Sequence, residues 1–512
     1  MTIALFAVTA GGRRAAGQVA DALGEDAVVV TEPVRDALPN LWPTLDAAVF
    51  FLAIGASVRL IAPLLADKRT DPGVVCVDEG RRFVVALTGG HAGGANELAE
   101  RVAAVLGATP VITTASDSTA TTPLDELVQL LDATAVGDLA AAGVAVLDGE
   151  PVRLVNPLRF PVPPLPPNVS PHAERPSHTI VIDDRMAHQP AHTLRLVPRT
   201  LVVGIGSARG GSETAVRAAL ARLSSKHGLD LRAVRAYATV DLKADEAGIL
   251  AATAPAPLLT YAADELAAVD VPTPSEVVRA AVGTPSVAEA AAILGARDLA
   301  GGAPVELVAA KIIGDNVTVA ATRIRPRGRL ALVSIGPGPP DLRLPRADAE
   351  LRRAAVVVGL DQYVDQIRHV LRPGTQARTS GLGDEERRAA DAVALAAAGN
   401  AVALIGSGDV GVYAMASPAL LEAGSRAAGA IEVVAVPGVT AGLAAAALLG
   451  APLGHDHVTI SLSDLHTPWP VIERRVQAAA AADLVTVFYN PRSRRRDWQL
   501  GTALDLLRKH RP

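Results

Sequence analysis

From about Leu330 onward, short apolar runs repeatedly give way to loops of small residues and then to helical patterns. ALVSIG opens PGPPD, AVALIG opens SGDVGVYAM, IEVVAV opens PGVTAG, and LVTVFY opens NPRSRRRDW. An apolar run followed by Gly or Pro and then by helical periodicity marks a βα unit of a mostly parallel sheet. In such sheets ligands sit at the carboxyl ends of the strands, where loop amides are free to bind them. The fold class expected is α/β, and four such loops in one region are expected to form a cofactor crevice.

For one such loop, a tight turn that needs only a positive φ explains the glycine as well as close approach of a ligand does. Four in succession favour the ligand. A dinucleotide site is the rival, but Gly336-Pro337-Gly338-Pro339-Pro340 is not GxGxxG. Prolines 339 and 340 remove two amide donors where a pyrophosphate would need them. That counts against NAD and against a P-loop, and leaves a nucleotide-dependent oxidoreductase as the alternative from pattern alone.

At 512 residues the chain is too long for one core, and about three domains are the natural expectation. Half the residues are hydrophobic but only 3% are aromatic, so the cores are built from Ala, Val and Leu. A net charge of −5 gives no overall basic character and points away from nucleic acid. Cys76 is the only cysteine, which excludes an intrachain disulfide and a cysteine-based metal cluster and fits a reducing, cytoplasmic setting. No His/Asp/Glu spacing resembles a metal site. The mean hydropathy of +0.30 invites a membrane reading. The longest candidate, 441–453, is Gly-punctuated and shorter than the ~20 residues a span requires. The N-terminal TIALFAVTA runs into GGRR, as a first strand meeting its loop would, rather than a signal peptide.

The expected divisions are an α/β domain over 1–120, a proline-rich middle part over 121–199, a second α/β domain over 200–325 and a last one over 329–512. VVCV and RFVVAL flank Asp78-Glu79-Gly80 as a hairpin would. TGGHAGGANELAERVAAVLG passes from glycines into a helix, with Asn96 the expected N-cap and Glu97 and Arg101 one turn apart. VAVL-DGE-PVRLV reads as a hairpin and HTIVIDD as a strand. Between them the proline density of PLRFPVPPLPPNVSP excludes helix and central strand. LVVGIGSARGGSETAVRAALARL starts a fresh βα unit with a helix over 212–223. ALDLLRKHRP reads as a helix with no closing strand, so the last domain is expected to be incomplete.

SIGPGPPDL, GSGDVGVYAM, VPGVTAGLAAAALLGAPLGHD, ISLSDLHTPW and FYNPRSRRRDWQL, in that order, resemble the tetrapyrrole (corrin) methyltransferase family and, within it, the precorrin-3B C(17)-methyltransferase branch. The resemblance covers nearly all of 330–512. It implies S-adenosylmethionine as cofactor, a two-lobed α/β domain, a homodimer formed through that domain, and methylation of precorrin-3B with ring contraction on the way to cobalamin. It also implies that Gly336, Pro337 and Gly338 form the first cofactor loop, and Gly408, Asp409 and Val410, with Tyr413 and Met415, the second. Val439, Thr440 and Ala441 would form the third, and Tyr489 and Asn490 would line the fourth. Where the family commonly carries a polar residue this chain has Pro339, with Asp341 two residues on as a substitute acid. Asp464, His455 and His466 are the other acid–base candidates in this part, although a lone histidine in a loop is more often a surface or capping residue than a catalyst. Arg492, Arg494, Arg495 and Arg496 would ordinarily be a solvated face, but a macrocycle rimmed with carboxylates would suit the forks of the first three. Trp498 either stacks on that macrocycle or packs in a core.

GASVRLIAPLLADKRTDPGVVCVDE, TGGHAGGANELAERVAAVLGATPVITTASDS, VVGIGSARGGSE, DLKADEAGIL, YAADEL and SVAEAAAILGA resemble the cobalt-precorrin-5A hydrolase family over about 1–324. That resemblance implies opening of a δ-lactone on the macrocycle with release of acetaldehyde, and so a fusion of two enzymes of one pathway. Lactone opening needs an activated water and a donor to the oxyanion. His91, between Gly-Gly pairs in a loop entering a helix, is placed for either task or for capping the turn, and Asp117 after VITTAS is a second candidate. Lys243, Asp245 and Glu246, with Asp264 and Glu265, form charge clusters that include paired carboxylates. Family members often have Cys where Ser207 stands, so no thiol acts there. An N-terminal part that only binds and hands over tetrapyrrole is the alternative. Other corrin-pathway enzymes are the expected docking partners, and no membrane is.

Overall fold

The computed structural model describes residues 2–24, 26–67, 70–90, 93–114, 119, 121–187, 189–493 and 496–510. The chain divides into two compact units: Met1–Leu158, Leu165–Leu299 and Val305–Ile324 in the first, Arg159–Pro164, Ala300–Pro304 and Arg325–Pro512 in the second.

The first unit opens with a six-stranded sheet in the spatial order Ala27–Val30, Ile3–Ala7, Ala47–Phe51, Gly73–Val77, Phe83–Thr88, Thr109–Val111. Ala47–Phe51 and Gly73–Val77 are buried along their whole length, as strands covered on both faces are, and so read as unbroken apolar runs. All neighbours are parallel except Gly73–Val77 with Phe83–Thr88. That pair is the expected hairpin, its turn held by Asp78, whose carboxylate accepts N–H bonds from Arg82 and Phe83 at 2.8 and 2.7 Å. The helix Ala95–Leu106 begins differently from expectation. Gly94, at φ 72°, is its N-cap, and Asn96 lies one residue inside the helix. The N–H groups of Ala95 and Asn96 reach Gly89 O and Gly90 O at 3.1 and 3.0 Å, so loop carbonyls do the capping. This leaves the Asn96 amide to donate to Thr114 Oγ1 at 3.2 Å.

A five-stranded sheet follows in the order Ala133–Val136, Thr193–Pro198, His178–Ile182, Val152–Val155, Val169–Ser170. The hairpin expected around Asp148-Gly149-Glu150 is absent. VAVL ends the helix Leu139–Leu147, and PVRLV enters a strand paired in parallel with His178–Ile182. Asp138 caps that helix by accepting from Ala141 N at 2.9 Å, and Ala142, Ala145 and Val146 are its buried face. The spacing of three and four between those residues is helical, and the helix wins over the β-branched composition.

The third sheet of this unit runs Leu258–Tyr261, Val234–Val240, Leu201–Ser207, Val317–Ile324, Val305–Ile313. Gly204 lets the helix Val287–Leu299 lie directly on the central strand, since a Cβ there would come 1.9 Å from Ala288 O. The helix after Leu201–Ser207 spans Glu213–His227, longer than expected. Ser212 caps it by accepting from Ala215 N, and it stops only at Gly228 in the left-handed region.

In the second unit an all-parallel five-stranded sheet runs Gln376–Ser380, Val356–Leu360, Ala401–Gly406, Gly328–Ser334, Ile431–Val436. A separate two-stranded parallel sheet pairs His457–Ser461 with Val485–Tyr489. Three of the four loops singled out in the sequence thus leave one sheet, and the fourth, after Val485–Tyr489, leaves another. Burial alone could not separate them, because strand pairing is decided by distant partners. Among the described residues no single helix is long and apolar enough to cross a membrane.

Candidate functional site

The loops after Gly328–Ser334, Ala401–Gly406 and Ile431–Val436 are stitched together by the chain's own atoms. Gly336 and Gly408 exchange hydrogen bonds, N–H to O, at 3.2 and 2.7 Å. Ser334 Oγ accepts from Val410 N at 2.8 Å. The Asp409 carboxylate accepts from Gly411 N at 2.7 Å within its own loop and from Gly438 N at 3.0 Å in the next. Only glycine fits at 438, where a Cβ would sit 2.4 Å from Gly408 O and 2.5 Å from Ser334 Cβ. Close backbone approach therefore accounts for Gly336 and Gly438, while Gly338 and Gly408 are open to a Cβ but take positive φ.

Tyr489, at the end of the two-stranded sheet, ties in the fourth loop. Its hydroxyl shares a 2.5 Å hydrogen bond with Thr440 Oγ1 and accepts from Gly442 N at 2.9 Å. Its ring lies 5.2 Å from that of Tyr413. Tyr413 takes a left-handed φ of 51° and donates its hydroxyl to Thr459 O at 2.9 Å. Asn490, at φ 50°, donates to Ser461 Oγ at 3.1 Å, and its carbonyl accepts from Arg496 Nη1 at 3.0 Å.

Around these loops lies a cavity of about 360 Å³, within the range of small-molecule sites. Of the residues singled out as cofactor-binding, Pro337, Gly408, Asp409, Tyr413, Met415, Thr440, Ala441, Tyr489 and Asn490 line it. Gly336, Gly338, Val410 and Val439 are not on its wall. Gly336 and Val410 work one step back, through the bonds just described. The sequence reading missed Tyr363, Glu385 and Arg388, which also line the cavity. Ser407 Oγ donates to Tyr363 Oη at 2.9 Å. The missing signal was distance along the chain, since these residues come from the helices Asp361–Ile367 and Glu385–Ala397, which carry no glycine motif.

The acid–base candidates fall elsewhere. Asp341 is exposed in the short turn Pro340–Leu342, and His455 and His466 are exposed. Asp464 pairs with Arg496 Nε at 3.6 Å and accepts from Gln499 at 3.1 Å. Arg496 also donates to Ser463 Oγ, so it braces the fourth loop instead of facing solvent. Arg492 is exposed. Trp498 is half-exposed and packs edge-on against Trp469 at 4.8 Å. Arg494 and Arg495, like His91 and Asp117, lie outside the described residues.

The first unit has its own cavity of about 330 Å³ at the carboxyl end of Leu201–Ser207. Ser207, Lys311, Asn316 and Thr318 give it polar points among the apolar walls of Val278, Val287 and Ile313. Of the charge clusters, Lys243 and Glu246 are mostly buried and paired at 3.0 Å. Glu246 also accepts from Gly210 N at 2.6 Å, closing the GSARGG loop. The Lys243 hydrogen bond leads in holding Glu246 below its ordinary value. Glu265 accepts from Ala262 N, a helix-starting role. Among the described residues no three His, Cys, Asp or Glu side chains group as a metal site.

Three family models match this chain: cobalamin synthesis G N-terminal over 36–117, cobalamin synthesis G C-terminus over 201–322, and tetrapyrrole (corrin/porphyrin) methylases over 329–512. A probable cobalt-factor III C(17)-methyltransferase of Salmonella typhimurium is 48% identical over 181 residues, which is 35% of this chain and 73% of that protein. A cobalt-precorrin-5A hydrolase of Priestia megaterium is 30% identical over 312 residues, which is 57% of this chain and 82% of that protein. The chain belongs to both families. Its tetrapyrrole methylase part is also similar to the solved methyltransferase CobJ, at 39% identity over 36% of this chain and 77% of that one, with a TM-score of 0.34. The match spans only 35% of the length of the mycobacterial relatives named CobIJ.

Proposed function

We propose that this member of the tetrapyrrole methylase and cobalamin synthesis G families is a bifunctional enzyme of corrin biosynthesis. Its second unit methylates carbon 17 of precorrin-3B, or of the cobalt-containing equivalent, with ring contraction. Its first unit opens the lactone of cobalt-precorrin-5A and releases acetaldehyde. The observation that carries the first activity is the cavity where loops from two sheets meet, lined by the Gly408–Met415 and Thr440–Ala441 segments and by Tyr489.

The donor chemistry of that cavity suits S-adenosylmethionine, which would supply an activated methyl group on a sulfonium. Its walls are loop backbone, tyrosine rings and a thioether, with Gly408 in the left-handed region. An in-line methyl displacement needs positioning and exclusion of water more than a strong side-chain nucleophile. Tyr413 and Tyr489 offer ring faces of the kind that attract a cation. Asp409 is committed to Gly411 and Gly438, so its part is to hold the loops and not to move a proton.

Support for the second activity is the family membership of the first unit, together with its cavity at a strand end. Calorimetric titration with S-adenosylhomocysteine and with NAD tests the cofactor, and preferential NAD binding sinks the methyltransferase reading. Mass spectrometry of precorrin-3B incubated with the chain and S-adenosylmethionine is expected to show one added methyl group. Acetaldehyde release from the lactone substrate tests the hydrolase. A His91→Ala variant with an unchanged rate removes that residue from the mechanism.

A further inference from the structure

We propose that Arg388 forms a carboxylate-binding subsite at the wall of the second unit's cavity, an inference that rests on the methyltransferase reading of that cavity. Arg388 lies in the helix Glu385–Ala397 and is only 4% exposed, yet it lines the cavity. Its guanidinium donates from Nε to Ser380 Oγ at 2.9 Å, from Nη2 to Gly381 O at 2.7 Å, and from Nη1 toward Met415 Sδ at 3.5 Å. All three acceptors are neutral. Among the described residues no carboxylate lies within ion-pairing distance of Arg388, although nearly every other buried arginine has one. Arg195 has Asp230, Arg323 has Asp184, Arg329 has Glu350 and Arg343 has Asp348.

A buried cation without a counter-charge is costly, so such a group is kept where something else supplies the anion. A guanidinium carries five N–H donors. Three are used, and one remains on each Nη nitrogen, which is the number a carboxylate takes in a bidentate pair. Glu385, one turn earlier on the same helix, lines the same cavity. An acid and a base side by side suit a ligand whose carboxylate stands near a cationic group. The amino-acid end of the cofactor has that chemistry, and the rim of a polycarboxylate macrocycle supplies the carboxylate alone.

The test uses the full chain with Arg388→Gln and Arg388→Lys, each checked by far-ultraviolet circular dichroism. Two pairs of probes differ in their carboxylates: S-adenosylhomocysteine against its decarboxylated analogue S-adenosyl-3-thiopropylamine, which keeps the ammonium group, and uroporphyrin against its neutral methyl ester in the same dilute detergent. Arg388→Gln is expected to weaken a carboxylate-bearing probe by on the order of tenfold to a hundredfold. Its carboxylate-free counterpart should bind as it does to wild type, and Arg388→Lys should recover part of the loss. A loss confined to S-adenosylhomocysteine puts the carboxylate on the cofactor, and one confined to uroporphyrin puts it on the substrate. Equal losses with and without the carboxylate would show that Arg388 only braces the Met415 loop and would overturn the subsite, as would no loss at all. Wild-type protein that binds neither S-adenosylhomocysteine nor uroporphyrin overturns the methyltransferase reading and the subsite with it. If Arg388→Gln does not fold, the same comparison made with Arg388→Lys decides.

Discussion

The hydroxyl of Tyr489 is a single oxygen on which two elements depend. It satisfies the N–H of Gly442, in the first turn of the helix Ala441–Leu448, and it holds Thr440 at 2.5 Å. Tyr489→Phe keeps the ring and leaves a buried N–H without its partner, a loss of about 1–3 kcal/mol in comparable cases. The expected result is a melting temperature lowered by a few degrees and S-adenosylhomocysteine bound about tenfold more weakly by calorimetry. Unchanged affinity would mean that the hydroxyl does not shape the cavity. Gly438 makes the complementary case, because its clash partners are the backbone oxygen of Gly408 and the Cβ of Ser334, neither of which can swing away. Gly438→Ala is expected to abolish measurable S-adenosylhomocysteine binding while circular dichroism keeps the native helix content. Retained binding would show that the Gly408–Gly438 contact is dispensable.

At the scale of elements, two buried acids and a half-buried neighbour govern how the middle sheet of the first unit joins the sheet that follows it. Asp184, just past His178–Ile182, accepts from Arg323 Nε and Nη2 at 2.5 and 2.7 Å and from Thr200 Oγ1 at 2.7 Å. Asp230 takes Arg195 and Arg232. Burial alone would raise the Asp230 carboxyl, but the hydrogen bonds and charge of Arg232, with Arg195 behind it, outweigh that and hold it low. Asp183 goes the other way: burial first, then the charge of Asp184, raises it. The signs follow from linkage. Asp230 contributes stability above the unfolded-state pKa, and that is lost as pH falls through its lowered folded value. Ionised Asp183 costs stability at neutral pH, and that cost is relieved as pH falls through its raised value. Asp183→Asn is therefore expected to raise the melting temperature at pH 7 and to change it less at pH 4. An equal shift at both pH values would rule out titration of Asp183 as the cause.

The same scale shows what could be read beforehand. Strands buried on both faces, such as those formed by AAVFF and AVALIG, announce themselves because every residue is apolar. So does the Asp78 hairpin, whose turn chemistry is local. VAVL, the end of the helix Leu139–Leu147, reads as a strand because alanine, glycine and valine carry no polar face to reveal the period. Asn96 was mistaken for a cap because the carbonyls of Gly89 and Gly90, which do the capping, have no side-chain signature. Arg388 escaped notice because GDEERRAADA reads as a solvated helix start, and only the fold turns that residue into a wall. Local chemistry was legible, and partnerships between distant segments were not.

For the whole molecule, the division into two units predicts more than one calorimetric unfolding transition. A ligand that binds only folded protein stabilises by RT ln(1 + [L]/Kd), about 2.7 kcal/mol at a hundredfold excess over Kd. S-adenosylhomocysteine is accordingly expected to raise the transition of the second unit. Scanning calorimetry with and without it is the check, and a shift in no transition would contradict binding in the Tyr489 cavity.

That cavity draws its walls from a five-stranded sheet on one side and a two-stranded sheet on the other. A pair of strands is barely stable by itself, and here it leans on Ile472, Val476 and Leu506 from its covering helices. A molecule seated between the two sheets touches both at once and so serves as a rivet through two plates of unequal strength. Protease cleavage near Asn490 should then slow in step with occupancy. The small sheet becomes a gauge of whether the pocket is filled, legible without following any chemistry at all.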